Sequence, residues 1–152
     1  MIQSLNNKSV LVAERLFSIW QESYIVEAKL LKANNFPPLN RTVQDFLDSA
    51  TFFYGFVKDG VYNAVIEIKD NGQTMHIQSL VVKPSQFRKG MASTMIAFVL
   101  NENMEYNFTV ETGCDNLPAI NLYLKFGFVE KEKYETDHGV HKISLFLDRS
   151  GN

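Results

Sequence analysis

With 152 residues, a net charge of −2 and an isoelectric point of about 5.9, the chain suits one domain, 1–152, and lacks the basic excess of a nucleic-acid binder. Hydrophobic residues make up 45% and charged residues 21%, ordinary for a globular fold, and no apolar run nears the ~20 residues that a membrane span needs. The single cysteine, Cys114, forbids an internal disulfide, and the first residues lack a charged-then-apolar leader pattern, so a cytoplasmic setting is expected.

Taken in chain order, Ser9 caps a helix whose apolar face is Val10, Ala13, Phe17 and Trp20. Helical composition continues over 21–33, and Asn34-Asn35-Phe36-Pro37-Pro38 ends it. Thr42 and Asp45 resemble a capping box for a second helix with Val43, Phe46, Leu47 and Ala50 inward. From Thr51 the apolar period changes to two. Strands are expected over 51–57, 61–69 and 74–82, joined by turns at Lys58-Asp59-Gly60 and Asn71-Gly72. A helix over 91–100, a strand over 108–112 and a helix over 116–126 follow, the last closed by Gly127 in the C′ position. A final hairpin, 128–135 with 140–147, turns at Asp137-His138-Gly139. This order implies an α/β fold with a mixed, mostly antiparallel central sheet flanked by helices.

The connection Val81-Val82-Lys83-Pro84-Ser85-Gln86-Phe87-Arg88-Lys89-Gly90-Met91-Ala92-Ser93 carries the first chemical signal. A β-branched run stops at a proline, a polar basic loop follows, and a glycine opens a helix. The first N–H groups of a helix have no intrahelical partner and lie at the positive end of its macrodipole. Together with loop N–H groups they can converge on one phosphate. Arg88 and Lys89 add full charges, and Gly90 and Ala92 allow close backbone approach. The plain alternative is an ordinary strand-to-helix connection with solvated basic residues.

A second segment tips that balance: Asn116-Leu117-Pro118-Ala119-Ile120-Asn121-Leu122-Tyr123-Leu124-Lys125-Phe126-Gly127-Phe128. Together the two segments resemble the GNAT family of N-acetyltransferases, over about 51–147. The resemblance implies the acyl-CoA N-acyltransferase fold, acetyl-CoA as co-substrate, and transfer of its acetyl group to a primary amine of a small molecule or peptide by direct attack. It also implies cofactor contacts at Leu80, Val81, Val82, Phe87, Arg88, Lys89, Gly90, Met91, Ala92, Ser93, Asn116, Ala119 and Tyr123. One position departs from the family pattern. The family's loop usually carries Gln or Arg three residues before the glycine, where this chain has Phe87 between Gln86 and Arg88.

Acetyl transfer needs a held pyrophosphate, a polarised thioester carbonyl, a deprotonated amine and a stabilised thiolate. A strand-end N–H near residues 80–82 would serve as the oxyanion donor. The resemblance assigns the thiolate to Tyr123; the alternative is a tyrosine packing beside Phe126 and Phe128. For the base, a two-residue Asn71-Gly72 loop would place Glu67 opposite His76, where an acid beside an imidazole sets its tautomer and raises its pKa. Some relatives place a base at the position His76 occupies. The plain reading is a solvated cross-strand pair. Glu111 is a third candidate, and a water chain a fourth.

Cys114 follows a strand near the expected thioester, but no neighbouring histidine marks it as a nucleophile, and a free thiol is the better reading. His138 and His141 have ligand-like spacing without a further cluster, so no metal site is expected. Glu14, Glu22, Glu27, Asp45 and Asp48 on the first two helices would attract a cationic amine or simply face solvent. Neither a nucleic-acid nor a membrane partner is expected, and a homodimer is left open. The competing classes are a non-catalytic acyl-CoA-binding regulatory module and an unrelated nucleotide-phosphate binder.

Overall fold

A strand that the sequence pattern does not announce, β1 (Ile2–Leu5), opens the chain and pairs antiparallel with β2 (Phe52–Lys58). The computed structural model describes residues 1–33, 36–136 and 139–149. Between these strands run α1 (Val10–Leu31), a 3-10 turn at Pro37–Asn40 and α2 (Val43–Asp48). Ser9 caps α1 by accepting the Val12 N–H, and Thr42 and Asp45 form the full reciprocal capping box of α2. The buried stripe of α1 is Ala13, Leu16, Trp20 and Tyr24. The expected face is thus corrected: Val10 is exposed and Phe17 only half-buried. Trp20 sets this rotation, its ring lying 5.0 Å from Phe46 of α2 and 6.0 Å from Phe53 of β2.

The remaining elements are β3 (Val61–Asp70), β4 (Thr74–Val82), α3 (Met91–Glu102), β5 (Asn107–Gly113), α4 (Leu117–Lys125), β6 (Val129–Glu135) and β7 (His141–Leu147). They complete a seven-stranded sheet in the order β1-β2-β3-β4-β5-β7-β6, parallel only between β4 and β5. This is the mixed, mostly antiparallel sheet that the sequence implies. One face packs Leu16, Trp20, Phe46, Phe53, Val65 and Val81 under α1 and α2. The other packs Ile66, Ile68, Ile77, Met95, Phe108 and Tyr123 under α3 and α4. Asn34, Asn35, Asp137 and His138, expected in breaks and turns, lie outside the described residues.

The β3–β4 turn differs from expectation by one residue. The Asn71 N–H donates to the Thr74 carbonyl at 2.9 Å, so Gly72-Gln73 is the central pair. Gly72, at φ +94°, takes the first central position, as a Gly-X hairpin requires. The Asp70 carboxylate fixes that choice by accepting the Gly72 N–H at 2.8 Å. Lys69 therefore faces His76, and Ile68 faces Ile77. A bulge at Gln78 then brings Glu67 opposite Ser79. Glu67 does not face His76, and the acid–imidazole pair expected from the sequence does not form.

Candidate functional site

Strands β4 and β5 pair only from Thr74 with Asn107 to Ile77 with Val110. Beyond that point β4 runs on to Val82 and β5 to Gly113 without pairing to each other. The bulge at Gln78 stands where they part, and a bulge bends its strand. Two cavities occupy the opening. One, of 520 Å³, is bounded by the splayed strands, α4, α1 and the loop before α3. The other, of 640 Å³, lies toward α2 and the 3-10 turn at Pro37–Asn40.

The loop before α3 makes a tight, positively curved backbone. Pro84–Gln86 form a 3-10 turn. Arg88 then adopts φ +66°, a left-handed conformation that is costly for a side chain of its size, and Gly90 adopts φ +77° as the N-cap of α3. No side chain caps α3, so its first N–H groups are left to other partners. A Cβ on Gly90 would meet nothing within 4 Å, so the glycine is there for its backbone angle and for open space.

Of the expected cofactor residues, Leu80, Val82, Phe87, Arg88, Gly90, Met91, Ala92, Ser93, Asn116, Ala119 and Tyr123 all line the 520 Å³ cavity. Val81 and Lys89 do not. Val81 points into the core beneath α1, because strand alternation turns it away from Leu80 and Val82, and Lys89 is exposed outside the cleft. Ser23, Val26, Glu27 and Leu30 of α1 line the same cavity and carry no sequence motif.

Helix α4 is held at both ends. Asn116 accepts the Ala119 N–H at 3.3 Å as N-cap. At the other end Gly127, φ +95°, donates to the Leu124 carbonyl, and the Phe128 N–H donates to the Tyr123 carbonyl at 3.2 Å. These two bonds make a Schellman motif that fixes the backbone of Tyr123 itself. The Tyr123 ring packs against Phe128 with centroids 5.4 Å apart. Burial, and then the Glu27 charge, push the phenol pKa up, so the hydroxyl stays protonated across the physiological range.

Among the described residues six line both cavities: Tyr24, Glu27, Gln78, Ser79, Glu111 and Thr112. The two expected base residues are not among them. Glu67 is 1% exposed and locked by Arg41, whose Nη1 and Nη2 lie 2.7 and 2.9 Å from its two oxygens, while Thr51 donates to it at 2.5 Å. The His76 ring Nδ1 lies 2.7 Å from Thr109 Oγ1. Its pKa is lowered, chiefly by burial with Glu111 opposing, rather than raised by a facing carboxylate. Glu111 stands at the junction and accepts a hydrogen bond from Tyr134. Burial pushes the Glu27 carboxyl up to about 7, with Lys142 pulling it back. The Tyr24 hydroxyl is likewise pushed up by burial and by Glu27, and bonds the Ser79 side chain.

Cys114 is half-buried and lines neither cavity; its N–H donates to the His141 carbonyl at 2.8 Å. Among the described residues no His, Cys, Asp and Glu group is disposed to hold a metal, and no helix is long and apolar enough to cross a membrane. His141 Nε2 lies 3.5 Å from a Glu135 oxygen on the surface.

Comparison with known proteins matches residues 13–128 to the acetyltransferase (GNAT) family. The UPF0157 protein YqkA of Bacillus subtilis (strain 168) is 31% identical over 147 residues, which is 96% of this chain but 43% of that protein. The chain thus spans less than half the length of that relative. Among solved structures, the ribosomal-protein-S18-alanine N-acetyltransferase of Escherichia coli superposes with a TM-score of 0.76 at 19% identity, covering 100% of this chain and 95% of that one. The yncA protein of Salmonella typhimurium, solved with its cofactor acetyl-CoA, gives a TM-score of 0.76 at 13% identity, again over 100% and 95%. At these identities the superpositions speak for the fold.

Proposed function

The chain belongs to the acetyltransferase (GNAT) family, and we propose that it moves an acetyl group from acetyl-CoA to a primary amine of a small molecule or peptide by direct attack. The observation that carries this reading is the pair of cavities meeting where β4 and β5 part. One cavity has an uncapped helix N-terminus and Arg88 at its wall, suited to a pyrophosphate. The other takes the acceptor, and only at their junction can an amine meet a thioester. A cytoplasmic setting belongs to the same proposal.

In this mechanism the loop from Arg88 to Ser93 holds the pyrophosphate and the unpaired edge of β4 polarises the thioester carbonyl. The amine nitrogen attacks the carbonyl carbon as the C=O electron pair moves to oxygen. Collapse then breaks the C–S bond, and the Tyr123 hydroxyl donates a hydrogen bond to the departing thiolate. Glu67 and His76 take no part in this proposal, since neither lines either of these two cavities.

The test is thiol release from acetyl-CoA in the presence of a panel of primary amines. Amine-dependent release supports the reading; acetyl-CoA binding with no release for any amine leaves a regulatory acyl-CoA-binding module instead. Binding is read separately by melting. Acetyl-CoA at 100 times its dissociation constant should add about 2.7 kcal/mol to unfolding. Gly90→Glu should abolish that increment, because it puts a Cβ at φ +77° and a negative charge at the helix N-terminus. An undiminished increment in that variant would remove the loop from the site.

A further inference from the structure

Resting on that acetyl-transfer reading, the geometry points to Glu27 of α1 as the group that takes the proton from the incoming amine. A protonated alkylamine, with a pKa near 10.4, has no lone pair at neutral pH, so some group at the junction must accept a proton before or during attack. Among the described residues two carboxylates, Glu27 and Glu111, line both cavities. Their surroundings differ. Glu111 is exposed and already accepts a hydrogen bond from Tyr134. Glu27 is half-buried, and among the described residues no hydrogen-bond donor or ion pair satisfies its carboxylate.

A carboxylate drawn partly out of water with no donor to it holds its proton more tightly and is free to take one from a ligand that enters the cavity. Groups on several elements bear on it or share its junction. Lys142 of β7 draws its proton affinity down. Tyr24 of α1 and Tyr123 of α4 feel its charge and stay protonated. Ser79 and Gln78 of β4 and Glu111 of β5 share its junction. Burial dominates, and it leaves the carboxyl near pH 7, where a general base balances ionisation against proton affinity.

The ammonium N–H proton passes to a Glu27 oxygen, and the freed lone pair forms the C–N bond. The C–S bond breaks with its electron pair going to sulfur. The second amine proton leaves for the thiolate, giving amide and free thiol, and Glu27 returns its proton to solvent through the acceptor cavity. Glu27 and Tyr123 line the same 520 Å³ cavity, so the proton acceptor and the thiolate's donor face one space.

The experiment measures kcat/KM for thiol release between pH 5.5 and 9 with spermidine, tyramine and a tripeptide bearing a free N-terminus. In the parent the rate should rise with pH through about 7, because the base must be ionised. Glu27→Gln should lose that limb and slow turnover about 10²-fold or more at pH 8, with the acetyl-CoA melting increment kept. Glu27→Asp should restore a pH limb and part of the rate. An active parent whose Glu27→Gln variant keeps both rate and limb overturns the assignment alone, and loss of the limb on Glu111→Gln instead moves the role there. A parent that binds acetyl-CoA but releases no thiol with any probe overturns the transfer reading and this assignment together.

Discussion

Replacing Tyr123 by phenylalanine is expected to lower turnover by about 10²–10⁴-fold while leaving acetyl-CoA affinity nearly unchanged. The substitution removes one oxygen from a ring that is 4% exposed, and the contact with Phe128 and the Schellman bonds at Phe128 and Gly127 remain. Stability should therefore change little, and kcat should carry the effect. With reference pKa values near 10 for tyrosine and 8.5 for a thiol, full proton donation is uphill by about 2 kcal/mol. Burial and Glu27 raise the phenol further, so the hydrogen bond to the thiolate, rather than complete transfer, is the larger contribution. A donor of that kind acts only as charge develops on sulfur, which is why KM should stay put. Turnover equal to the parent's, measured where chemistry limits the rate, would return Tyr123 to a packing role.

The parts of this site that are legible in the sequence share one property: they are local. The Thr42–Asp45 capping box, the loop from Arg88 to Ser93 and the Gly127 terminator each depend on residues within a few positions, and each appears at its expected place. The base does not depend on local pattern. Whether Glu67 meets His76 turns on a one-residue choice between Asn71-Gly72 and Gly72-Gln73, and a hairpin slip of one residue reassigns every facing pair. The Asp70–Gly72 hydrogen bond, a side chain acting on a turn two residues away, decides it. The bulge at Gln78 adds a second displacement. Glu27 is the opposite case: one acidic residue among several on α1, with no motif, distinguished only when the splay of β4 and β5 gives α1 a cavity to face. β1 escapes the pattern because four residues are too few for a period to declare itself.

Arg41→Ala is expected to cost about 3–5 kcal/mol of unfolding free energy, the range for stranding one partner of a buried ion pair. Glu67 supplies the reason, for its 1% exposed carboxylate has the Arg41 guanidinium and the Thr51 hydroxyl as its partners. The guanidinium also stacks 4.2 Å from the Phe46 ring centroid, so its removal strips packing as well as charge. For a chain of this size that corresponds to a melting point lower by about 6–20 °C. Arg41→Lys keeps the charge but not the two-pronged geometry, and should recover only part of the loss. Arg41→Met combined with Glu67→Leu removes both charges and should lie well above Arg41→Ala in stability. A double variant as unstable as the single one would mean that lost packing, not the stranded carboxylate, carries the cost. The pair also reaches the chemistry. Arg41 lines the 640 Å³ cavity and joins the segment before α2 to β3, so on the proposed reading its loss should impair acceptor use while the acetyl-CoA melting increment survives. Loss of that increment together with acceptor use would show the two cavities to be one cooperative unit held by Glu67.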